Sequence, residues 1–573
     1  MVKHRGNNHS LCRTLFIAFL LAAACSAYED TNPPPINDDT ILPADRKIDW
    51  SRAGVWVSGV KGIPNYPVGI TVNTTTPTHQ YYCDPTGAVD CRAKLQAAIN
   101  ACPSGKAVYM PAGTYIINSS INIPSNVALR GAGPTLTTIK CYLNGVAIAM
   151  TGSNGYDAPS DITNISSGYT KGSQTIVVAN SAAFAVGDLV LIDQTNDPSF
   201  VNKVGSEDTC SWCSRSNGDR SLGEMNRITN KSGNTITLDR PLAYGYNDTY
   251  TPQIALQCDS PIVYAGVEDL ALTTSSSSFT SSVGVEMQWT YSCWVKNTNI
   301  YGQGHKGVHL YAYCVGNEVR DSYIHDLTQF DSDHGYQVNI QNHSSWNLVE
   351  NNIMKMGHNG VIIGSAGGAN NVVAYNYVYN TKHYQTYWFI NAMGTHGAHT
   401  YMTLFEGNIV PKLGFDYTHG SGSHHVCLRN QVTDSNPGVS VSNNLSGIDV
   451  EEWQYATSFI GNVLGYPGYT GDYEIVSSEE YSLWSIFNHS VTRSALIRHG
   501  NYDYVTQTTK WDANISDHNI PSSLYLGSKP SWFGSLDWPA IGPDVAGYVK
   551  NTPAKLRWET YVSSGVLSDL FLK

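Results

Sequence analysis

Charge is what this sequence has least of. Asp, Glu, Lys and Arg make up only 14% of its 573 residues, and their balance is a net −12. A chain so poor in cations offers no basic stripe to a polyanion, which argues against nucleic acid and anionic membrane as partners. The apolar three-and-four spacing of a helical protein is missing from its central half, as is any heptad run. Gly131-Ala-Gly133 has neither the Lys-Ser/Thr nor the six-residue glycine spacing of a nucleotide loop. Beyond the N-terminus no apolar run is long enough to span a bilayer.

At the N-terminus, Lys3, Arg5 and Arg13 precede the apolar run Leu15–Ala24, and Cys25-Ser-Ala27 is a small-residue cleavage site. Residues 1–27 therefore read as a secretory signal peptide, so a secreted or periplasmic protein is expected. Ala22-Ala-Ala-Cys25 is an alternative lipoprotein site, lacking the usual leucine three before the cysteine. Losing those three positive charges takes the net from −12 to −15. Ten cysteines remain, and in an oxidising compartment some should pair. Cys210-Ser-Trp-Cys213 reads as a loop disulfide, or as cysteines paired elsewhere, ahead of a redox or zinc site.

What is abundant is Gly (51), Tyr (36), Asn, Ser and Thr, the composition of short strands and many turns. Between Cys293 and Gly465 one short segment recurs. It is Lys296-Asn-Thr-Asn-Ile300, Arg320-Asp-Ser-Tyr-Ile324, Val349-Glu-Asn-Asn-Ile353, Ala374-Tyr-Asn-Tyr-Val378, Phe405-Glu-Gly-Asn-Ile409, Leu428-Arg-Asn-Gln-Val432 and Phe459-Ile-Gly-Asn-Val463. The closing aliphatics lie 24, 29, 25, 31, 23 and 31 residues apart. Two positions earlier stands Thr298, Ser322, Asn351, Asn376, Gly407, Asn430 or Gly461, residues that suit a left-handed or self-bonded corner. A corner followed by an inward aliphatic is the coil of a parallel β-solenoid. The expected fold is all-β, a right-handed single-stranded parallel β-helix with an N-terminal capping helix and a small antiparallel insertion.

The expected organisation follows in order. Residues 28–80 are an extended lead-in, and 81–159 hold the cap helix and first coils. In the helix Cys91, Leu95, Ile99 and Cys102 share a face behind the N-cap Asp90. Residues 160–250 are inserted antiparallel strands and loops, 251–465 the main solenoid, and 466–573 C-terminal loops and a cap.

Asp84-Pro-Thr-Gly87, the helix with Leu95-Gln-Ala-Ala-Ile99, Val108-Tyr-Met-Pro-Ala-Gly-Thr-Tyr115 and Leu129-Arg-Gly-Ala-Gly133 together resemble the opening of the pectate-lyase-like superfamily of secreted β-helix proteins. That superfamily includes polysaccharide lyases, glycoside hydrolases and phage tailspikes. The resemblance implies a fold and a polysaccharide substrate, and no single reaction.

In a solenoid, residues at one phase of the repeat stack at about 4.8 Å. One polar column precedes the strands that open with glycine: His305, Asp333 and His358, with Asp331 and His334 beside Asp333. If Asp331-Ser-Asp333 is extended, its carboxylates lie about 6.6 Å apart along one face, enough for an inverting glycosidase to seat a water. Asp331, Asp333, His305 and His358 are the candidate catalytic residues. Hydrolases of the polygalacturonase type likewise use aspartates and a histidine on adjacent coils, although their Asp-Asp and Gly-His-Gly motifs are absent here. Candidate substrate contacts are His309, Tyr311, His334, Gln337, Asn339, His396, His399 and His419. Tyr336, Tyr387 and Trp388 are further groove aromatics.

His396 and His419 open a second column with Asp416 nearby, which could bind a divalent metal, join a hydrogen-bond ladder or contact substrate. In a third, Asp321, Glu350, Glu406 and Arg429, a surface Glu406–Arg429 ion pair is expected.

The reading is a polysaccharide-cleaving hydrolase with no cofactor, expected to be monomeric. The runner-up is a lyase acting on a uronate glycan such as pectate or alginate, with calcium entering only in that case. Its cation and base would come from Lys306, Arg320, Lys382, His383, Tyr384 or Arg429. A non-catalytic, tailspike-like adhesin is the third reading.

Overall fold

The computed structural model describes residues 40–571 except 156–158, 160, 332, 365–367, 438–439 and 477–480. The expected leader 1–27 lies outside the described residues. The chain winds into a parallel β-helix with three long sheets of 11, 12 and 13 strands. One coil shows the plan: Lys306–Ala312 in the first sheet, Glu318–Arg320 in the second and Tyr323–His325 in the third, before Tyr336–Ile340 returns to the first. We call these the floor, back and side sheets. Each strand pairs in parallel with its counterpart one coil on, as in Val308↔Val338 and Ile324↔Met354.

A single apolar core runs the length of the solenoid. Val308, Val338 and Val361 enter it from the floor, Val319, Val349 and Val373 from the back, and Ile300, Ile324, Met354 and Val378 from the side. The helix Arg92–Ala101 buries Leu95, Ala98 and Ile99 at one end, closing a coil whose free strand edges would otherwise be open to pairing.

The corner between back and side sheets corrects the expected register at several coils. The left-handed residue is Asn297, Asp321, Asn351, Tyr375, Gly407, Arg429 or Gly461, with φ between 50° and 65°. It coincides with the expected corner only at 351, 407 and 461. In those three coils the inward residue is Met354, Val410 or Leu464, while Ile353, Ile409 and Val463 face out to other clusters. A slip of one residue reverses the face of every side chain in a strand, and two adjacent aliphatics hide the slip from the sequence.

The residue after each left-handed corner turns inward to form a buried ladder. The Asn376 backbone N–H and side-chain amide both donate to Asn408 Oδ1, at 3.0 and 3.1 Å. Asn408 repeats this toward Asn430, and Asn430 toward Asn462. Asn376 Nδ2 also reaches Val349 O at 2.9 Å. Each amide thus satisfies corner backbone that the solenoid buries.

The coils run past Gly465 to Asp503, with Asn501 ending the ladder. Eight cysteines outside the insertion's disulfide are buried free thiols, and Cys210–Cys213 is the bond formed. Among the described residues the expectation that some cysteines pair is met by this loop disulfide, while the other eight stay as thiols. The core already buries these sulfurs as small apolar groups.

The back sheet is covered. Leu348, Val372, Leu404 and Val426 pack outward against Ile41, Leu42, Trp50, Tyr525 and Phe533. The helix Pro553–Ser564 and the segment after it seat Ala554, Leu570 and Phe571 on Tyr323 and Ile353 of the side sheet. The inserted seven-stranded sheet, strands between Ser153 and Ser260, is antiparallel throughout. The floor sheet instead turns Glu286, His309 and Asp416 outward, and it is on this face that the polar columns stand.

Candidate active site

Backbone pairing brings the first column together. Gly335 and Tyr336 N–H groups donate to His305 O, at 2.7 and 3.2 Å, and His358 N donates to Gly335 O at 2.7 Å. Strand pairing thus aligns His305 with Gly335 and Gly335 with His358, so Asp333 stands two residues before the expected column, in the turn, and reaches His305 by its side chain. Its Oδ2 is 3.1 Å from His305 Nε2, and Lys306 Nζ donates to its Oδ1 at 2.9 Å and to its backbone O at 2.9 Å. Lys306 Nζ also lies 2.6 Å from His305 Nε2. The one ring nitrogen therefore faces both the Lys306 ammonium and the Asp333 carboxylate.

Lys306 is buried while the Asp333 side chain is 62% exposed. Burial alone would raise the Asp333 pKa, but His305 and Lys306 outweigh it and hold the carboxyl far below the usual range. The same burial lowers Lys306, only partly offset by Asp333. The outcome is a groove-facing carboxylate kept ionised by a cation beneath it.

Asp331 does not share an extended strand with Asp333. His334 N donates to Asp331 O at 3.1 Å, closing a turn, and the Asp331 carboxylate bonds His334 Nδ1. The two aspartates thus have different partners, and the expected face-sharing pair is replaced by an Asp333–Lys306–His305 group and an Asp331–His334 pair. Glycine and a turn-forming Asp-Ser-Asp favour a turn over a strand here. The rings of His334 and His305 are 4.9 Å apart.

His358 stacks on Tyr336 at 5.4 Å, and His383 lies 5.2 Å further on. His358 is buried. Burial, then His383, pushes its pKa down to about 3, so it is a neutral base.

In the second column strand pairing aligns Thr395 with Phe415, and so His396 with Asp416, while His419 comes from the turn that follows. The rings of His396 and His419 are 4.6 Å apart. Asp416 holds His396 Nδ1 at 2.9 Å, and Asp208, from the inserted sheet, holds His419 Nδ1 at 3.0 Å. Burial opposes the His396 charge, but Asp416 prevails and raises its pKa. His396 correspondingly draws Asp416 down against burial. Nearby Glu451 is pushed well up by burial, then by Asp449 and Asp416.

Residues 78–309 match the family described as "Rhamnogalacturonase A/epimerase, pectate lyase-like". That stretch is pectate-lyase-like in sequence, and the chain around it winds as a parallel β-helix. The match stops at His309, before Asp333, so it covers the opening coils and Lys306 but only part of the site. No curated protein matches the sequence. Among solved structures the chain is similar to tailspike gp49 from Pseudomonas phage LKA1, at 18% identity over 65% of this chain and 57% of that one, TM-score 0.40. It is also similar to the A-module of mannuronan C-5 epimerase AlgE4 from Azotobacter vinelandii, at 13% identity over 74% and 97%, TM-score 0.36. A third is the catalytic unit of a GH87 alpha-1,3-glucanase from Streptomyces thermodiastaticus, at 12% identity over 80% and 70%, TM-score 0.30. The chain spans about three fifths of the length of the first tailspikes it matches.

The pectate-lyase-like coils also remove several expected contacts. Gln337 and Asn339 are fully buried, with the Gln337 amide donating to Ile324 O and Lys355 O. His399 is buried between Ser421 Oγ and Ser423 Oγ. His309 is pinned between Glu286 and Gln341, and its neighbour Tyr311 reaches the surface. The side chains of Gln337, Asn339, His399 and His309 are taken up by hydrogen bonds to neighbouring coils, which leaves them buried rather than free for a ligand.

Two of the expected lyase cations, Arg320 and Arg429, are drawn away from the groove, while Lys306 stays in it. Arg320 is enclosed by Glu318, Asp321 and Glu350 on the back sheet. Arg429 pairs with Asp544 of the C-terminal tail, not Glu406, which instead accepts from Tyr375 Oη and Leu524 N. The tail covers this column, which a repeat-based reading leaves open to solvent.

Proposed function

We propose that this protein is a secreted, cofactor-independent carbohydrate-active enzyme that hydrolyses glycosidic bonds of a polysaccharide lying along the floor sheet. The observation that carries this reading is the exposed Asp333 carboxylate held ionised by Lys306. In hydrolysis, Asp333 takes a proton from water as its oxygen attacks the anomeric carbon. The glycosidic C–O bond breaks, and its oxygen receives a proton from Nε2 of His334, whose Nδ1 is held by Asp331. His305 and Lys306 position the base, and His358 and Tyr336 form the floor on the next coils. The acidic net charge fits an uncharged glycan.

A second reading is β-elimination on a uronate, supported by the imidazoles of His305, His334 and His358 clustered beside Lys306. The experiment is digestion of a polysaccharide panel by the full chain, following reducing ends and the ultraviolet absorbance of unsaturated uronates together. Reducing ends without absorbance support hydrolysis, and both together support elimination. Binding without either product supports an adhesin and removes the enzyme reading.

A further inference from the structure

The inserted sheet sends one loop, residues 202–213, back onto the solenoid beside the groove. Ser206 N donates to Tyr417 O at 3.0 Å, Glu207 N to Thr418 O at 3.2 Å, and Asn202 N to Ser421 Oγ at 2.7 Å. The contact is so close that a Cβ on Gly205 would stand 2.1 Å from Thr418 O. Further along, Cys210 and Cys213 are disulfide-bonded and packed on Ala398. Between those two anchors Trp212 is 50% exposed, its indole meeting His419 edge-on at 5.3 Å. An indole fixed at both flanks keeps little freedom to lose when a ligand covers it.

We propose that this loop is a wall of the substrate groove, with Trp212 the stacking platform for a glycosyl ring that carries no carboxylate. Aromatic faces stack on the C–H faces of pyranose rings whatever the sugar's charge, so the selection must come from the surrounding polar groups. Those are Glu207, Asp208 and Asp416 around His396 and His419. Asp208 and Asp416 each occupy an imidazole Nδ1, leaving Nε2 of both rings to meet sugar hydroxyls. Three carboxylates against one imidazolium at His396 repel a uronate and tolerate a neutral ring. The inference rests on the glycan reading above and adds the substrate's charge class and the residue that recognises it. Trp212 is a binding residue and takes no part in the proposed bond-breaking steps.

The test uses the full chain and a panel of neutral glucans, galactans and mannans beside galacturonan and mannuronan, read by affinity electrophoresis and by initial rates. On whichever neutral glycan is cleaved, W212A should raise KM about 3–10-fold, the range of an aromatic contact, with kcat within about 2-fold. W212F should recover most of that loss. C210S/C213S, which frees the loop, should shift KM in the same direction while the solenoid's thermal transition is kept. An unchanged KM in W212A on a cleaved glycan overturns the wall and leaves the enzyme reading standing. Retention or cleavage of the uronate polymers alone overturns the charge class. Failure of the wild type to bind or cleave any member overturns both.

Discussion

Lys306 Nζ lies 2.9 Å from Asp333 Oδ1 across adjacent coils, the lysine buried and the aspartate open to the groove. This asymmetry makes the pair informative about pH. A carboxylate whose folded pKa is depressed stays ionised until pH falls through that lowered value.

In K306Q that support is lost and the Asp333 pKa rises. The acid limb of kcat/KM should move upward by about one pH unit, with the neutral-pH rate lower by about 10–100-fold. A pH–rate profile of wild type and variant reads this directly. An unmoved acid limb would detach Lys306 from the base.

His396 titrates in the opposite sense. Its folded pKa is raised by Asp416, so its contribution to stability is complete below the unfolded value of about 6.5. That contribution fades as pH rises through the folded value. D416N should bring the His396 midpoint down, seen by NMR titration of the imidazole C–H signals. Denaturation of wild type and D416N should differ most on the acidic side of that window.

The asparagine ladder sets the cost of a corner substitution. N408A removes the acceptor for two Asn376 donors and the donor to Val373 O, all buried. A loss of about 2–4 kcal/mol is expected from the groups left unpaired, measured by chemical denaturation. A change within experimental error would make the ladder ornamental.

Arg429 clasps the tail through Asp544 and the carbonyls of Ile520, Pro521 and Ile541. R429A should destabilise by about 3 kcal/mol and open residues 520–549 to protease before the solenoid yields. Simultaneous digestion of both would show that the tail is not a separate layer.

The solenoid was legible because each coil must repeat a corner and an inward side chain, whereas the column of His305, Asp333 and His358 was two residues out of phase at Asp333, since strand pairing aligns His305 with Gly335. Adjacent aliphatics in Asn351-Asn-Ile-Met354 left the inward one undecided, and only cross-strand register separates them. Lys306 was visible as the residue after His305 but was weighed only as a lyase cation, because its burial beneath Asp333 depends on the next coil. Trp212 and Asp208 approach His419 from more than 200 positions away. No periodicity links an insertion to the coil it rests on. The tail over Arg320, Glu350 and Glu406 was hidden for the same reason.

The central claim is that Asp333 performs the proton transfer, and D333N tests it most directly. The variant removes the charge and keeps the shape, so glycan retention and thermal unfolding should stay close to wild type while turnover falls by about 10³-fold or more. Turnover within a few-fold of wild type would contradict the account and shift the chemistry to Asp416 and Glu451 at the far end of the groove.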